Sequence, residues 1–178
     1  MTISEVSRSR LLDGLAFGID RVELETPEGS RFSRDVLIHP GGVGVLVEDD
    51  GDFVFIKQFR VALGRNVLEI PAGKRDVPGE SPEETARREL VEELGVHVTR
   101  LEPLTIVAPS PGYTTELIHV FWGRDIFSTQ RCPVGAEERL AEVVRMSQAE
   151  TFRLVDRGEI LDAKTLAALG AWRRRTEN

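Results

Sequence analysis

The sequence predicts an α+β fold in which several strands and a small number of helices form a sandwich. Three observations predict it. Short apolar runs separated by turn residues fill much of the chain, helix-start signals occur at Ser81, Ser147 and Asp162, and strands and helices do not alternate regularly. A chain of 178 residues is long enough for one main domain with a sizeable core. We therefore expect a layered sandwich rather than a doubly wound parallel sheet.

Residues 1–39 are predicted to form an N-terminal β extension. Patterned apolar residues run from Phe17 to Leu24, and a second apolar run extends from Phe32 to Ile38, with a Pro-Glu-Gly-Ser turn between them. Proline and glycine in His39–Gly42 then interrupt the pattern. We place the boundary there, so that residues 40–178 form the main domain.

The main domain begins with strands. Val43–Val47 and Phe53–Phe59 flank an acidic segment that contains Asp50 and Gly51, and an Asp-Gly pair between apolar runs is typical of a hairpin. A shorter run, Val67–Ile70, ends at a proline. Three further strands are predicted at Val96–Val107, Leu117–Trp122 and Ala141–Met146.

The first predicted helix has clear signals at both ends. Ser81 and Glu84 have the spacing of a capping box, and Pro82 occupies the favoured first helical position. Gly95 is typical of a C-terminal stop. We therefore expect a helix between Ser81 and Gly95.

Two more helices are predicted towards the C-terminus. Ser147 and Glu150 repeat the capping-box spacing at the start of the second helix. Asp162 can cap a third helix over Ala163–Arg174.

Three glutamates of the first helix, Glu89, Glu92 and Glu93, fall on one stripe, since successive residues are rotated by about 100°. Like charges on adjacent turns repel, and Arg88, four residues before Glu92, can offset only one of them. A hard divalent cation takes oxygen ligands, is often shared with substrate phosphates, and would compensate the remaining charge. The alternative is a solvated helix face, on which glutamates are common.

Residues 73–96 resemble the Nudix box, a motif of the form G-x5-E-x7-R-E-U-x-E-E-x-G-U in which U is a bulky aliphatic residue. The matching positions are Glu80, Arg88, Glu89, Leu90, Glu92, Glu93, Gly95 and Val96. Six residues, rather than five, separate Gly73 from Glu80, which lengthens the loop before the helix. The resemblance covers residues 40–178 and implies a Nudix α/β/α sandwich with a mixed sheet, preceded by the N-terminal β extension.

The Nudix resemblance implies hydrolysis of a nucleoside diphosphate linked to another moiety, with Mg²⁺, or Mn²⁺ in its place, as cofactor. The implied metal ligands are Glu89, Glu93, Glu92 and, through its backbone carbonyl, Ala72. Arg88 is implied to pair with Glu80 and so to fix the loop against the helix. The resemblance also makes Arg88 and Glu92 candidate catalytic residues.

Segments outside the box narrow the resemblance to the ADP-ribose pyrophosphatase subfamily. These segments are Ser33–Gly42, Gln58–Arg60, Leu68–Gly73, Pro109–Glu116 and Asp162–Thr165. The implied substrate contacts are Arg34, Arg60, Glu69 and Glu116. The subfamily resemblance also implies that the N-terminal strands cross to a partner subunit in a domain-swapped homodimer. From sequence context alone, Arg60 could equally form a surface ion pair, and Glu116 could be a solvated loop residue.

Gly135–Arg139 is predicted to be a loop before the last strand, and by the resemblance this loop supplies the carboxylate that activates water. Glu137 is the first candidate for the general base, and Glu138 is the second. A carboxylate near divalent cations stays ionised at neutral pH and can accept a proton. The alternative is an acidic loop whose charge serves solubility.

Composition limits the partners and the compartment. The formal net charge of −7 disfavours a nucleic-acid partner, because such affinity comes largely from Lys and Arg. The lone Cys132 excludes an intrachain disulfide and a Cys-based zinc site. The N-terminus is polar, and no segment has the roughly 18 apolar residues of a membrane span. We expect a cytoplasmic protein that does not bind membranes.

The combined prediction is that ADP-ribose and water give AMP and ribose 5-phosphate. Another nucleoside diphosphate sugar, such as GDP-mannose, is the alternative substrate, because the Nudix box reads only the metal–pyrophosphate core. A non-catalytic nucleotide sensor is the alternative of a different class. The intact glutamate stripe favours the enzyme over the sensor.

Overall fold

The computed structural model describes residues 2–176, and the chain divides into two compact units. The smaller unit contains the residues up to Gly41 together with Ala108–Leu117. The larger unit contains Gly42–Val107 and the residues from Ile118 onward.

The smaller unit is built on an antiparallel sheet with the strand order β1-β2-β3. Its strands are β1 (Ser4–Asp13), β2 (Gly18–Glu25) and β3 (Arg31–Ile38). The two apolar runs predicted β2 and β3, but β1 was not predicted, because it is exposed throughout and has no apolar alternation. Its backbone ladder to β2 and the cross-strand ion pair between Arg10 and the buried Asp20 hold it in place.

Residues 108–117 join the smaller unit through backbone hydrogen bonds to β3. The Leu37 N–H donates to the Tyr113 carbonyl (2.7 Å), and the Thr115 N–H donates to the Leu37 carbonyl (3.0 Å). A short parallel bridge results. The prediction from the sequence placed residues 108–117 in the main domain, because nothing in their position along the chain indicates pairing with β3.

The larger unit contains a seven-stranded sheet. Its strands are β4 (Gly42–Asp49), β5 (Asp52–Arg60), β6 (Arg65–Glu69), β7 (Ala72–Lys74), β8 (Val96–Val107), β9 (Ile118–Ser128) and β10 (Glu142–Ser147). The main order is β10-β5-β4-β9-β8, with β6 added to β5 and β7 added to β4. β4 and β9 run parallel, and the other pairs are antiparallel. The sheet is therefore mixed, as predicted.

The predicted hairpin joins β4 to β5. Asp49 pairs with Asp52 across the turn, and the two residues between them, Asp50 and Gly51, have φ angles of 51° and 83°. A two-residue turn of this type needs positive φ at both positions, which explains the Asp-Gly pair.

Four α-helices are present in the described part of the chain: α1 (Pro82–Leu94), α2 (Ala136–Leu140), α3 (Gln148–Asp156) and α4 (Ala163–Thr176). A short 3-10 helix, Val61–Leu63, follows β5. α1, α3 and α4 confirm the three predicted helices. The loop expected around residues 135–139 is instead the short helix α2. The Glu138 carboxylate accepts hydrogen bonds from the N–H groups of Val134 (2.8 Å) and Gly135 (3.0 Å), which satisfies donors at the start of this helix.

The predicted caps fix both ends of α1. Ser81 Oγ accepts from the Glu84 N–H (3.2 Å), and Glu84 Oε2 accepts from the Ser81 N–H (2.8 Å). Gly95 ends the helix with a φ of 68°, in the left-handed region that favours glycine. Fixed ends set the positions at which the glutamates of α1 meet the sheet.

Two apolar clusters cover the two faces of the large sheet. On one face, Ala86 and Leu90 of α1 pack with sheet residues such as Val45. On the other face, Leu169 and Trp172 of α4 belong to the second cluster. Helices on both faces confirm the predicted α/β/α sandwich. Within residues 2–176, no helix combines the length and apolar character that a membrane span requires.

Candidate active site

Two buried carboxylates lie one turn apart on α1, where the helix packs on β7. Glu89 is 7% exposed and Glu93 is 3% exposed. Glu93 Oε2 accepts a hydrogen bond from the Ala72 N–H at 2.8 Å. A methyl group at Gly73 would overlap the Glu89 carboxylate, so the glycine permits this close approach. The fold therefore brings three of the predicted metal ligands close together, namely Glu89, Glu93 and Ala72.

The positive charge near these two carboxyl groups does not offset the cost of burying them in the ionised form. Burial raises the pKa of Glu89 to about 7, although the Arg88 charge lowers it and the Glu92 charge raises it further. Burial also raises the pKa of Glu93 to about 8, against the opposing effect of the Ala72 N–H. Burial disfavours the charged form of a carboxyl group unless a cation compensates. The site would therefore gain from an additional positive charge.

Arg88 is the cation that contacts the carboxylates on and beside α1. Its guanidinium contacts Glu89 Oε1 (2.7 Å), Glu80 Oε1 (3.2 Å) and Glu92 Oε2 (3.3 Å). The predicted ion pair between Arg88 and Glu80 is confirmed. Asp76 Oδ1 also lies 4.0 Å from this guanidinium. One guanidinium therefore faces four carboxylates, and the cluster keeps an excess of negative charge.

The donor set fits a hard divalent cation. Carboxylate and backbone carbonyl oxygens are the ligands that Mg²⁺ prefers, and a cation would compensate the two buried carboxylates. No group of three or more His, Cys, Asp or Glu side chains in residues 2–176 is arranged as a ready metal cage. In this structure the Glu93 carboxylate accepts a hydrogen bond from the Ala72 N–H, and the Glu89 carboxylate accepts one from the Arg88 guanidinium.

A second cluster of buried charges surrounds Glu69, the last residue of β6, which is 1% exposed. Arg60 donates two hydrogen bonds to its carboxylate, both 2.7 Å long. Lys164 Nζ donates to the same carboxylate and to Asp162 Oδ1, the latter at 2.9 Å. Burial raises the pKa of Glu69, but Arg60 and Lys164 outweigh it and hold this pKa below its ordinary value.

The structure pairs Arg60 and Glu69, the two predicted substrate contacts of the larger unit, with each other. The Arg60 side chain remains 39% exposed, whereas that of Glu69 is almost fully buried. Burial lowers the pKa of Arg60, but its hydrogen bonds to Glu69 and the charges of Glu69 and Glu93 raise this pKa above its ordinary value. The Glu69 cluster is therefore close enough to the α1 carboxylates to influence them.

The two candidates for the general base differ in their surroundings. The charge of Glu138 raises the pKa of both Glu89 and Glu93, so Glu138 lies within electrostatic reach of the site. Glu137 is exposed, and its charge is not among the main causes of either pKa shift. The sequence ranked Glu137 first, whereas the electrostatics favour Glu138.

The other predicted substrate contacts, Arg34 and Glu116, belong to the smaller unit. The Arg34 guanidinium lies 4.7 Å from the centre of the Phe32 ring. Glu116 Oε1 is 3.7 Å from His39 Nδ1, which accepts a hydrogen bond from the Gly41 N–H at 3.1 Å. Their role in binding stays a prediction.

Comparison with known protein families identifies the family to which this chain belongs. The NUDIX domain matches residues 38–169, about three quarters of the chain. The chain belongs to the Nudix family. The matched range includes the box helix α1, the Glu69 cluster and both candidates for the general base.

Similar Nudix proteins have names that indicate related activities. The chain is 35% identical to an ADP-ribose pyrophosphatase of Bacillus subtilis (strain 168), covering 92% of this chain and 89% of that protein. It is 32% identical to an ADP-ribose pyrophosphatase of Mycobacterium tuberculosis, over 92% of this chain and 80% of that protein. A GDP-mannose pyrophosphatase of Yersinia enterocolitica is 34% identical over 76% of this chain and 75% of that protein.

A solved structure shares the Nudix fold. The crystal structure of an ADP compounds hydrolase superposes with a TM-score of 0.88 at 22% sequence identity, covering 99% of this chain and 95% of that chain. At this identity, the likeness shows the fold alone.

Reasoning from the sequence missed one residue of the Nudix site region. Lys164 was recognised only as part of a segment that resembles the subfamily, whereas the structure places its ammonium group against Glu69 and Asp162. One signal was present. A lysine in the first turn of a helix opposes the helix dipole, so a local carboxylate partner was to be expected.

Proposed function

We propose that this Nudix protein hydrolyses the pyrophosphate of ADP-ribose to AMP and ribose 5-phosphate, with Mg²⁺ as cofactor and Mn²⁺ as its substitute. The observation that carries the proposal is the pair of buried carboxylates, Glu89 and Glu93, on the box helix. Two relatives at 35% and 32% identity that are named ADP-ribose pyrophosphatases support the choice of substrate.

The proposed metal ligands are Glu89, Glu93, Glu92 and the backbone carbonyl of Ala72. When bound, a divalent cation neutralises charge on the diphosphate and lowers the pKa of the attacking water. The chain supplies the framework for these ligands. Arg88 orients Glu89 and ties the loop at Glu80 to α1, and the Ala72 N–H orients Glu93.

The remaining side chains act on the substrate and on the proton. The exposed edge of Arg60 binds the diphosphate oxygens, and Glu69 orients it. Glu138 accepts a proton from water as the water oxygen attacks phosphorus, with Glu137 as the second candidate. The phosphorus–oxygen bond of the anhydride then breaks, and AMP and ribose 5-phosphate leave. Arg34 and Glu116 complete the proposed substrate contacts.

The proposed assembly is a cytoplasmic homodimer in which residues 1–39 cross to the partner subunit. Exposed apolar side chains on β1, including Val6, Leu11 and Leu12, support it, because an exposed apolar surface is typical of protein interfaces. The single, exposed Cys132 fits a reducing compartment. Light scattering measures the mass of the full chain, and deletion of residues 1–38 should yield a monomer or an unstable protein. A stable, active dimer after the deletion would exclude strand exchange.

GDP-mannose is the competing substrate, since a relative at 34% identity is named a GDP-mannose pyrophosphatase. The test is product release from ADP-ribose, GDP-mannose, other nucleotide sugars and NADH, each with Mg²⁺ and with a chelator. We expect Mg²⁺-dependent AMP from ADP-ribose well above the other products. Preference for GDP-mannose would reject the substrate assignment and keep the pyrophosphohydrolase. Binding of nucleotide without any turnover would indicate a sensor.

A further inference from the structure

Lys164 is an unusual residue for its position. It lies in the first turn of α4, is 7% exposed, and contacts both Glu69 and Asp162. A buried lysine is costly unless its charge is paired, and a cation at a helix N-terminus opposes the helix dipole. The two carboxylates compensate both costs.

The first turn of α4 is also bonded to the backbone that leads to the proposed metal site. The Ile70 N–H donates to Thr165 Oγ1 (2.9 Å), and Thr165 Oγ1 donates to Asp162 Oδ2 (2.6 Å). Two residues later, the Ala72 N–H donates to Glu93 of α1. Residues 69–72 are therefore held by α4 at one end and by α1 at the other.

The charges in the Glu69 cluster balance only when Lys164 is counted. Glu69 and Asp162 contribute two negative charges, and Arg60 and Lys164 contribute two positive charges. Without Lys164 the cluster would carry a net charge of about −1, close to the carboxylates of α1. Glu69 would then have Arg60 as its only cation. A diphosphate would approach a site with a further uncompensated negative charge.

We propose that Lys164 is a positioning residue for hydrolysis, which neutralises Glu69 so that Arg60 stays oriented by that carboxylate and still offers its charge to the diphosphate. This inference rests on the proposed function. Lys164 is buried, so it acts through Arg60 and does not touch the substrate. The chemical group whose binding it controls is the diphosphate.

The test is the Kd of an ADP-ribose analogue whose bridging oxygen is replaced by a methylene group, measured calorimetrically with Mg²⁺. Lys164→Met should weaken binding by about tenfold, because a buried charge loses its partner. Lys164→Arg keeps the charge and should restore most of this binding. Lys57→Met is the matched control, since it removes the same charge from an exposed position on β5 and should leave Kd unchanged. In the kinetics of ADP-ribose hydrolysis, Lys164→Met should raise KM more than it lowers kcat.

A double-mutant cycle separates positioning from a general effect of charge or folding. Once Glu69→Gln has removed the charge that Lys164 neutralises, the further change Lys164→Met should alter Kd by less than about threefold. A tenfold loss in that background would overturn the proposal. If Lys164→Met alone fails to fold, comparison of Glu69→Gln with the double variant still tests the proposal, because both of these proteins lack the buried Glu69 charge.

The outcomes distinguish the two proposals. A wild-type protein that neither binds the analogue nor hydrolyses ADP-ribose contradicts the proposed function. A wild-type protein that binds it, together with a folded Lys164→Met variant of unchanged Kd, overturns the role of Lys164 alone. A lowered melting temperature with unchanged Kd would show that Lys164 is purely structural and would likewise overturn the proposal.

Discussion

Glu93 and Glu69 are the same type of residue, at 3% and 1% exposure, in neighbouring clusters of one domain. Their electrostatic situations are opposite. Glu69 receives hydrogen bonds from Arg60 and Lys164, and its pKa lies below the ordinary value. Glu93 receives a hydrogen bond from a backbone N–H and faces other carboxylates, and burial raises its pKa to about 8.

The difference shows that burial alone does not mark a carboxylate as part of a metal site. Glu69 is already neutralised by side chains of the protein, so it can orient Arg60 without a further cation. Glu93 accepts its hydrogen bond from a backbone N–H, and Glu89 shares the single guanidinium of Arg88 with other carboxylates, so a divalent cation would supply the missing positive charge.

The largest effect is expected from removing the charge of Glu93. Glu93→Gln should lower kcat for ADP-ribose by about 10³-fold or more, because a metal ligand contributes several kcal/mol to the transition state. The matched control is Glu83→Gln on the exposed side of the same helix, where Glu83 pairs with Arg87 at 2.9 Å, and it should stay near the wild-type rate. Steady-state kinetics with saturating Mg²⁺ measures both. Equal rates for the two variants would remove Glu93 from the site.

The next largest effect should distinguish the two candidates for the general base. Glu138→Gln should lower kcat by about 10²-fold, in the range typical of a lost general base. Glu137→Gln, one residue away and exposed, should change kcat little. If the larger loss follows Glu137→Gln, the ranking from the sequence was right and the electrostatic argument for Glu138 was wrong.

A smaller effect is expected at Gly73, where α1 approaches β7. Gly73→Ala should displace the Glu89 carboxylate, and the resulting strain of about 1–3 kcal/mol should raise the Mg²⁺ concentration needed for half-maximal activity by about tenfold. Gly170→Ala in α4 adds the same methyl group where only the end of the Arg174 side chain comes near, and should keep wild-type Mg²⁺ dependence. An unchanged Mg²⁺ requirement in Gly73→Ala would show that Glu89 is not held at the metal.

A change in the pH dependence of stability is also expected in the presence of a chelator. The pKa values of Glu89 and Glu93, about 7 and about 8, lie above the ordinary value of 4.5. Their contribution to the free energy of unfolding is therefore fully present below pH 4.5 and is lost as the pH rises through 7 and 8. The slope is about 1.4 kcal/mol per pH unit for each proton released. The contribution of Glu69 to stability has the opposite pH dependence, because its pKa is lowered and the contribution is lost on acidification.

Circular dichroism melts of the chelated protein between pH 5.5 and 8.5 measure this slope. Glu93→Gln should have a shallower loss of melting temperature towards alkaline pH than the wild type, and Glu69→Gln should leave that alkaline limb intact. Identical alkaline limbs in the wild type and Glu93→Gln would contradict the contrast between the two glutamates.

The sequence predicted the parts of the fold that local signals encode. The capping box at Ser81, the stop at Gly95 and the turn at Asp50-Gly51 are local and were confirmed. β1 has no apolar alternation, and the short helix α2 depends on a cap from Glu138 within a segment that read as an acidic loop. Neither feature has a strong signal in the surrounding residues.

The same distinction applies to the candidate site. The glutamates of α1 could be predicted because a fixed spacing on one helix places them together. The contacts of Lys164 with Glu69 and of Thr165 with Ile70 span 95 positions in the chain, and no local pattern encodes them. The rank of Glu138 over Glu137 likewise depends on the distance to another element.

Calorimetric titration of Mg²⁺ into the wild type, Glu93→Gln and Glu83→Gln tests directly whether the buried carboxylates bind a divalent metal. The titrations are made at pH 7 in two buffers of different ionisation enthalpy. Metal ligands must be deprotonated, so metal binding at carboxyl groups of raised pKa releases protons. We predict Mg²⁺ binding with proton release in the wild type and in Glu83→Gln, and a loss of both in Glu93→Gln. Equal binding and equal proton release in all three proteins would contradict the assignment of the buried carboxylates to a divalent metal.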